Sequence, residues 1–129
     1  MSAAFPWAQL FAVALGSAAG GVLRWGVQLW LNARWAAFPL GTLVVNGVGG
    51  LLIGIALAWF ARTPNEGLRL LLVTGFLGGL TTFSAFTGES LALLQRGDVG
   101  WALVHSAAHL LGSLAFCVVG FRLAKTLLG

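Results

Sequence analysis

Charge is what this chain has least of, with seven Lys+Arg and three Asp+Glu among 129 residues. A soluble domain of that length carries roughly a quarter charged residues to keep its surface wet, whereas here the share is 8% against 59% hydrophobic residues. The mean hydropathy is +0.96. So little charge excludes an outer surface that faces water throughout. One cysteine, Cys117, excludes an intrachain disulfide and reads as a small packing residue inside an apolar run. The basic residues never cluster, so the pI near 11.3 is not the mark of a nucleic-acid binder. No nucleophile–base–orienter set, P-loop or dinucleotide fingerprint is present, which argues against an enzyme and against an organic cofactor.

What is present is apolar sequence in long runs. A bilayer core takes about 20 apolar residues per helical span, and 129 residues fit four spans with short connections. The expected architecture is a single all-α domain, residues 1–129, of four transmembrane helices in a lipid bilayer. The first span is expected over about residues 5–31, with Arg34 and Pro39 marking its loop, and the second over 40–61. The first twenty residues lack the positively charged start of a secretory signal and read as the first half of a retained helix. In the turn Arg62-Thr63-Pro64-Asn65-Glu66, Thr63 and Glu66 have capping-box spacing and Pro64 suits a first helical position. That starts the third span, about 67–95. Asp98 then caps the fourth, about 99–127.

The third span carries Gly75, Gly78 and Gly79 within five positions, followed by Thr81, Thr82 and Ser84. Glycines at that density are costly in a helix interior. A break at membrane depth is tolerated only where freed backbone groups find partners within protein or line a cavity. An intact helix with glycines for close packing fits the periodicity equally well. Small residues also recur every fourth position at Ala12, Gly16 and Gly20, and at Asn46, Gly50 and Gly54, the pattern that lets helices approach closely in lipid.

Several polar residues on these spans call for partners. Arg24 continues the Gly16–Gly20 stripe; an arginine near mid-membrane costs about 2.5–3.5 kcal/mol on insertion scales, so it either snorkels to an interface or supports an anion-attracting vestibule. Asn46, one turn after Thr42, offers two amide donors without charge, to a neighbouring helix or to an anion. Phe83 and Phe86 share a helix face, and the ring edge carries the positive part of the quadrupole, which can face a small anion. His105, His109 and Ser113 form a polar stripe on the fourth span. Zinc needs more ligands than a histidine pair, and no second His or Cys cluster supplies them. Glu89 is expected near the water end of the third span, solvated.

The stretches Gly41-Thr42-Leu43-Val44-Val45-Asn46 and Gly78-Gly79-Leu80-Thr81-Thr82-Phe83-Ser84-Ala85-Phe86 closely resemble the small fluoride channels called Fluc or CrcB. The likeness extends over the length, the four spans, the Gly-rich run into Arg24, and Glu89 after the Phe motif. The resemblance implies an antiparallel, dual-topology homodimer in a prokaryotic inner (plasma) membrane, with a broken third helix. It also implies a fluoride-selective channel that relieves toxicity by passive export. Asn46, Phe83 and Phe86 would line the pore, Ser84 the polar track, with Thr42, Arg24, His105, His109 and Ser113 along the anion pathway. Backbone carbonyls of Gly78 and Thr81 from both subunits would hold a structural sodium ion (Na+) at the dimer interface. Three positions depart from the family pattern. Ala85 replaces a hydroxyl residue, His105 stands where tyrosine is usual, and His109 where serine is usual. Because unperturbed histidine titrates near 6.5, pH-sensitive conduction is expected.

Loop charges fit insertion in both directions. Arg62, Arg69, Arg122 and Lys125 fall on one side, and Arg34 and Arg96 on the other, a small bias for a signal that sets orientation. A small proton-coupled multidrug antiporter shares the size and span number but needs a titratable carboxylate in its first helix, and none occurs in residues 1–31. A non-transporting assembly subunit, its glycines serving only packing, is the other alternative.

Overall fold

The computed structural model describes residues 4–129, and among them all regular structure is helical. Four helical stretches are long and apolar enough to cross a bilayer: Trp7–Leu31, Leu40–Arg62, Glu66–Gln95 and Val99–Leu128. They are called the first to fourth spans below. Large apolar side chains such as Leu15, Trp25, Leu29, Leu103, Leu110 and Leu127 stand exposed along them. That is the arrangement expected where lipid, not water, is the outer solvent.

Close helix approach builds two pairs. Gly16 and Gly20 sit directly against the backbone of Leu71, Gly75, Phe76 and Gly79, so a Cβ at either would collide with the third span. Gly50 and Gly54 meet Ser113 and Cys117 in the same way, and Gly120 returns the contact at Leu51, joining the second span to the fourth. The stripes noted in the sequence are therefore where backbones touch. An aromatic cluster of Trp35, Phe38 and Trp101, with ring centroids 4.8–5.9 Å apart, closes one end. Phe38 continues inward onto the His105 ring at 5.1 Å.

Two connections differ from expectation. The third span opens on Asn65, whose side chain accepts the Leu68 N–H at 3.0 Å, so the Thr63–Glu66 capping box does not form. Thr63 instead closes the second span through its own N–H to Trp59 O, and Glu66 turns to Arg69 at 2.8 Å. Pro64 precedes the cap. Between the third and fourth spans, Gly97 at φ +82 lets the Gly97 and Asp98 N–H groups bond back to Leu94 and Leu93, a Schellman closure that needs a left-handed residue. Asp98 occupies the cap position of the fourth span, but its carboxylate pairs with Arg96 at 3.2 Å and makes no capping hydrogen bond.

The third and fourth spans are not uniform α-helices. Leu70–Leu77 and Ala108–Gly112 wind as wider π-helical turns. After the turn Gly78–Leu80 the backbone becomes extended at Thr81 (φ −88, ψ 158) and Thr82 (φ −151, ψ 124). The α-helix Phe83–Gln95 then begins, with the Thr82 hydroxyl capping it by accepting the Ala85 N–H at 3.1 Å.

Candidate functional site

The extended step at Thr81–Thr82 creates the site's first requirement. In an uninterrupted helix the Thr82 N–H would donate to the Gly78 carbonyl and the Phe83 N–H to the Gly79 carbonyl. Here Thr82 N donates to Asn46 Oδ1 at 2.8 Å, and Asn46 Nδ2 donates to Thr82 O at 2.9 Å. One side chain from the second span thus takes both backbone polar groups of one extended residue, which hydrocarbon would leave unpaired. Arg24, from the first span, donates through Nε to the Gly79 carbonyl at 3.0 Å. Its guanidinium therefore has a partner inside the bundle, because the step supplies a free carbonyl. Thr81 keeps its helical bond, N–H to Leu77 O at 3.0 Å, and its hydroxyl donates to the same carbonyl at 2.8 Å.

From Asn46 the polar groups continue into the fourth span. Nδ2 also reaches His109 Nδ1 at 3.0 Å, and Ser113 Oγ donates to the Asn46 carbonyl at 3.3 Å. The rings of His109 and His105 lie 4.6 Å apart, and Phe86 covers both, stacked on His105 at 5.3 Å and tilted on His109 at 4.6 Å. His105 joins Ser90 Oγ through Nδ1 at 2.8 Å and Glu89 Oε1 through Nε2 at 3.1 Å. The other carboxylate oxygen of Glu89 accepts from the Thr42 hydroxyl at 2.5 Å, and Thr42 accepts from Gln28 Nε2 at 3.2 Å. Thr42, His105 and His109 are buried. Two hydrogen-bonded chains, Gln28–Thr42–Glu89–His105–Ser90 and Thr82–Asn46–His109, therefore cross from span to span and meet where the His105 and His109 rings pack 4.6 Å apart.

Glu89 is the main correction to the sequence reading. It is not solvated; its side chain is only 15% exposed and bridges Thr42 to His105. It also answers the missing-ligand argument, since Glu89, His105 and His109 each bring one potential ligand atom within 4.8 Å of the others. The sequence carried one signal: Phe86, Glu89 and Ser90 recur at i, i+3 and i+4, so the carboxylate shares a helix face with an aromatic expected at the site. Gln28 and Ser90, also missed, had no motif to mark them.

The remaining residues named from the sequence lie outside this network. Phe83 is 78% exposed and meets Phe86 edge-on, 5.4 Å between centroids at 65°. Ser84 and Thr87 are exposed beside it, and Gly78 is exposed at the turn before the step. Exposed hydroxyls on an apolar span are unusual for a lipid-facing surface.

The family model described as CrcB-like protein, Camphor Resistance (CrcB), matches residues 11–121. The chain is 48% identical over 123 residues to the fluoride-specific ion channel FluC of Aromatoleum aromaticum, covering 94% of each chain. It is 53% identical over 111 residues to the protein of that name from Cupriavidus pinatubonensis (84% of this chain, 88% of the relative). For the Pseudomonas aeruginosa relative, identity is 46% over 125 residues, with 95% and 98% covered. With the match running through all four spans and across the Thr81–Thr82 step, this chain belongs to the CrcB family.

Proposed function

We propose that this protein is a fluoride-selective anion channel that exports cytoplasmic fluoride passively and so relieves its toxicity. The channel is an antiparallel homodimer with dual topology in the inner (plasma) membrane of a prokaryote. The observation that carries the reading is the column Gln28–Thr42–Glu89–His105 and Asn46–His109, half-buried to fully buried inside an otherwise apolar bundle. It is supported by relatives that bear the name fluoride-specific ion channel.

Fluoride is small and strongly hydrated, so a pore must replace its water with donors while binding loosely enough to release it. The column supplies hydroxyl, amide and imidazole groups; the Phe83–Phe86 pair supplies ring edges at its margin. Arg24 adds a fixed positive charge on the first span, and Ser84, Thr42 and Ser113 extend the polar lining. A membrane potential negative inside drives an anion outward by about 2.3 kcal/mol per charge per 100 mV. No covalent chemistry is involved, and the protein is not an enzyme.

The exposed face of Phe83, Ser84 and Thr87 is the surface on which a second copy is expected to sit: the Thr87 hydroxyl is satisfied within its own helix, on Phe83 O at 2.9 Å, but Ser84 places a hydroxyl beside the exposed Phe83 ring where lipid offers no partner. A structural sodium ion at that interface fits the step geometry. Diversion of the Thr82 N–H to Asn46 deprives the Gly78 carbonyl of its helical donor, and Gly78 is exposed. Carbonyls of Gly78 and Thr81 from both copies would hold the ion, which would supply positive charge to satisfy them and lock the two subunits together.

The test is fluoride efflux from vesicles containing the purified protein. Fast, electrogenic efflux is expected, with at least a tenfold loss on Asn46→Leu or Phe83→Ala. A well-folded protein that passes no fluoride refutes the channel and favours an assembly subunit.

A further inference from the structure

Resting on the channel reading, we infer that the Nε2–H group of His109 is the donor that meets the permeating anion. Asn46 is a positioning residue that holds His109 in the tautomer able to donate.

The inference starts from a residue, Thr82, whose backbone donor and acceptor are unambiguous. Thr82 N–H can only donate and Thr82 C=O can only accept, so the Asn46 amide has one orientation: Oδ1 toward the former, Nδ2 toward the latter. Both of its amide hydrogens are then engaged, one on Thr82 O and the other on His109 Nδ1 at 3.0 Å. Asn46 has no hydrogen left to offer an anion.

His109 Nδ1 must be the acceptor, because the group facing it can only donate. A neutral imidazole that accepts at one nitrogen carries its proton on the other. Nε2 is therefore an N–H donor, and it is the one buried side-chain polar atom with no partner among the described residues. His109 itself is 4% exposed. A buried donor left unpaired is costly, so a persistent one marks a place where a ligand completes the bond. The same tautomer settles which ligand. Glu89, His105 and His109 have the count of a metal site, but a metal needs a lone pair on Nε2, and Asn46 keeps a proton there. An acceptor suits the position, and the rings of Phe86 and His105 pack against the His109 ring, each with its centroid 4.6 Å away, so that bulk water is kept off it. That acceptor is a dehydrated anion.

The chain contains two histidines, so selective 15N-histidine labelling of the full-length protein yields two imidazoles to assign. One should carry its proton on Nε2, and that N–H signal should move on titration with sodium fluoride but not sodium chloride. In Asn46→Leu the same ring should become a mixture of tautomers. Flux through vesicles supplies the second arm. His109→Gln, whose amide nitrogen reaches as far as imidazole Nε2, should lose flux but keep severalfold more of it than His109→Asn. His109→Asn, which reaches only as far as Nδ1, should lose at least tenfold, equivalent to about 1.4 kcal/mol. A His109 protonated on Nδ1, a signal indifferent to fluoride, or a His109→Asn channel as fast as the parent overturns the inference while leaving the channel intact. A parent protein that passes no fluoride overturns the channel reading instead, and the fluoride titration still decides whether His109 is an anion donor. Zinc that perturbs the parent's histidines stoichiometrically refutes the tautomer assignment, because it requires a free Nε2 lone pair.

Discussion

His105 and His109 show how one side chain's role is set by its neighbour's donor count. His105 has a partner on each nitrogen, Ser90 and Glu89, while His109 has a partner only on Nδ1. Protonating His109 would put N–H groups on both nitrogens, and Nδ1–H would then confront an Asn46 amide that Thr82 prevents from turning. The titratable groups around it are Glu89, which reaches His105 and lies within the same cluster, and His105 itself. The donor facing Nδ1 opposes that second proton, so fluoride flux through the parent protein is expected to stay level between pH 8 and pH 5.5. A fall over that range that is absent from the doubly substituted His105→Tyr/His109→Ser channel would show that a histidine controls conduction there. Both histidines are plain in the sequence at four-residue spacing; which of them keeps a free donor is not, because that depends on Asn46, 63 positions earlier.

At the scale of the element, the third span is where local propensity and membrane constraint conflict. Gly75, Gly78 and Gly79 weaken an α-helix, and the structure answers with π turns followed by two extended residues. Such a step persists in hydrocarbon only if other elements supply partners, and Asn46 and Arg24 do so from the second and first spans. Arg24→Met leaves the Gly79 carbonyl without that donor. Loss of a hydrogen bond from a charged group to a buried acceptor costs about 1.5–3 kcal/mol, so the variant should unfold at a distinctly lower temperature in detergent, followed by tryptophan fluorescence. An unchanged midpoint would mean that Arg24 does not support the step. The glycine cluster and the unusual residues were visible in the sequence. Whether the helix yields there was not, since an intact helix packed through the same glycines satisfies the same periodicity.

For the whole molecule, the first and third spans pair through Gly16 and Gly20, and the second and fourth through Gly50, Gly54 and Gly120. The polar network crosses between these pairs and ties them into one bundle. If two such bundles insert in opposite directions, a single thiol placed in the exposed connection at Thr63 should face both sides of the membrane. In a Cys117→Ala, Thr63→Cys protein, an impermeant thiol reagent should label about half the copies in sealed vesicles, and all of them after permeabilisation. Complete labelling or complete protection before permeabilisation would show a single orientation.

The sequence by itself determined that the chain lives in lipid, because too few charges exist to wet a surface and four runs are long enough to span. It also determined which helix faces approach closely, since a missing Cβ at every fourth position acts locally along one helix. The position of Glu89 was decided only by tertiary structure, as were the engagement of Arg24 by a carbonyl and the division of labour between Asn46 and His109. Each of these is a matter of satisfying a polar group in a medium that offers no water, and the partner that satisfies it comes from a different span.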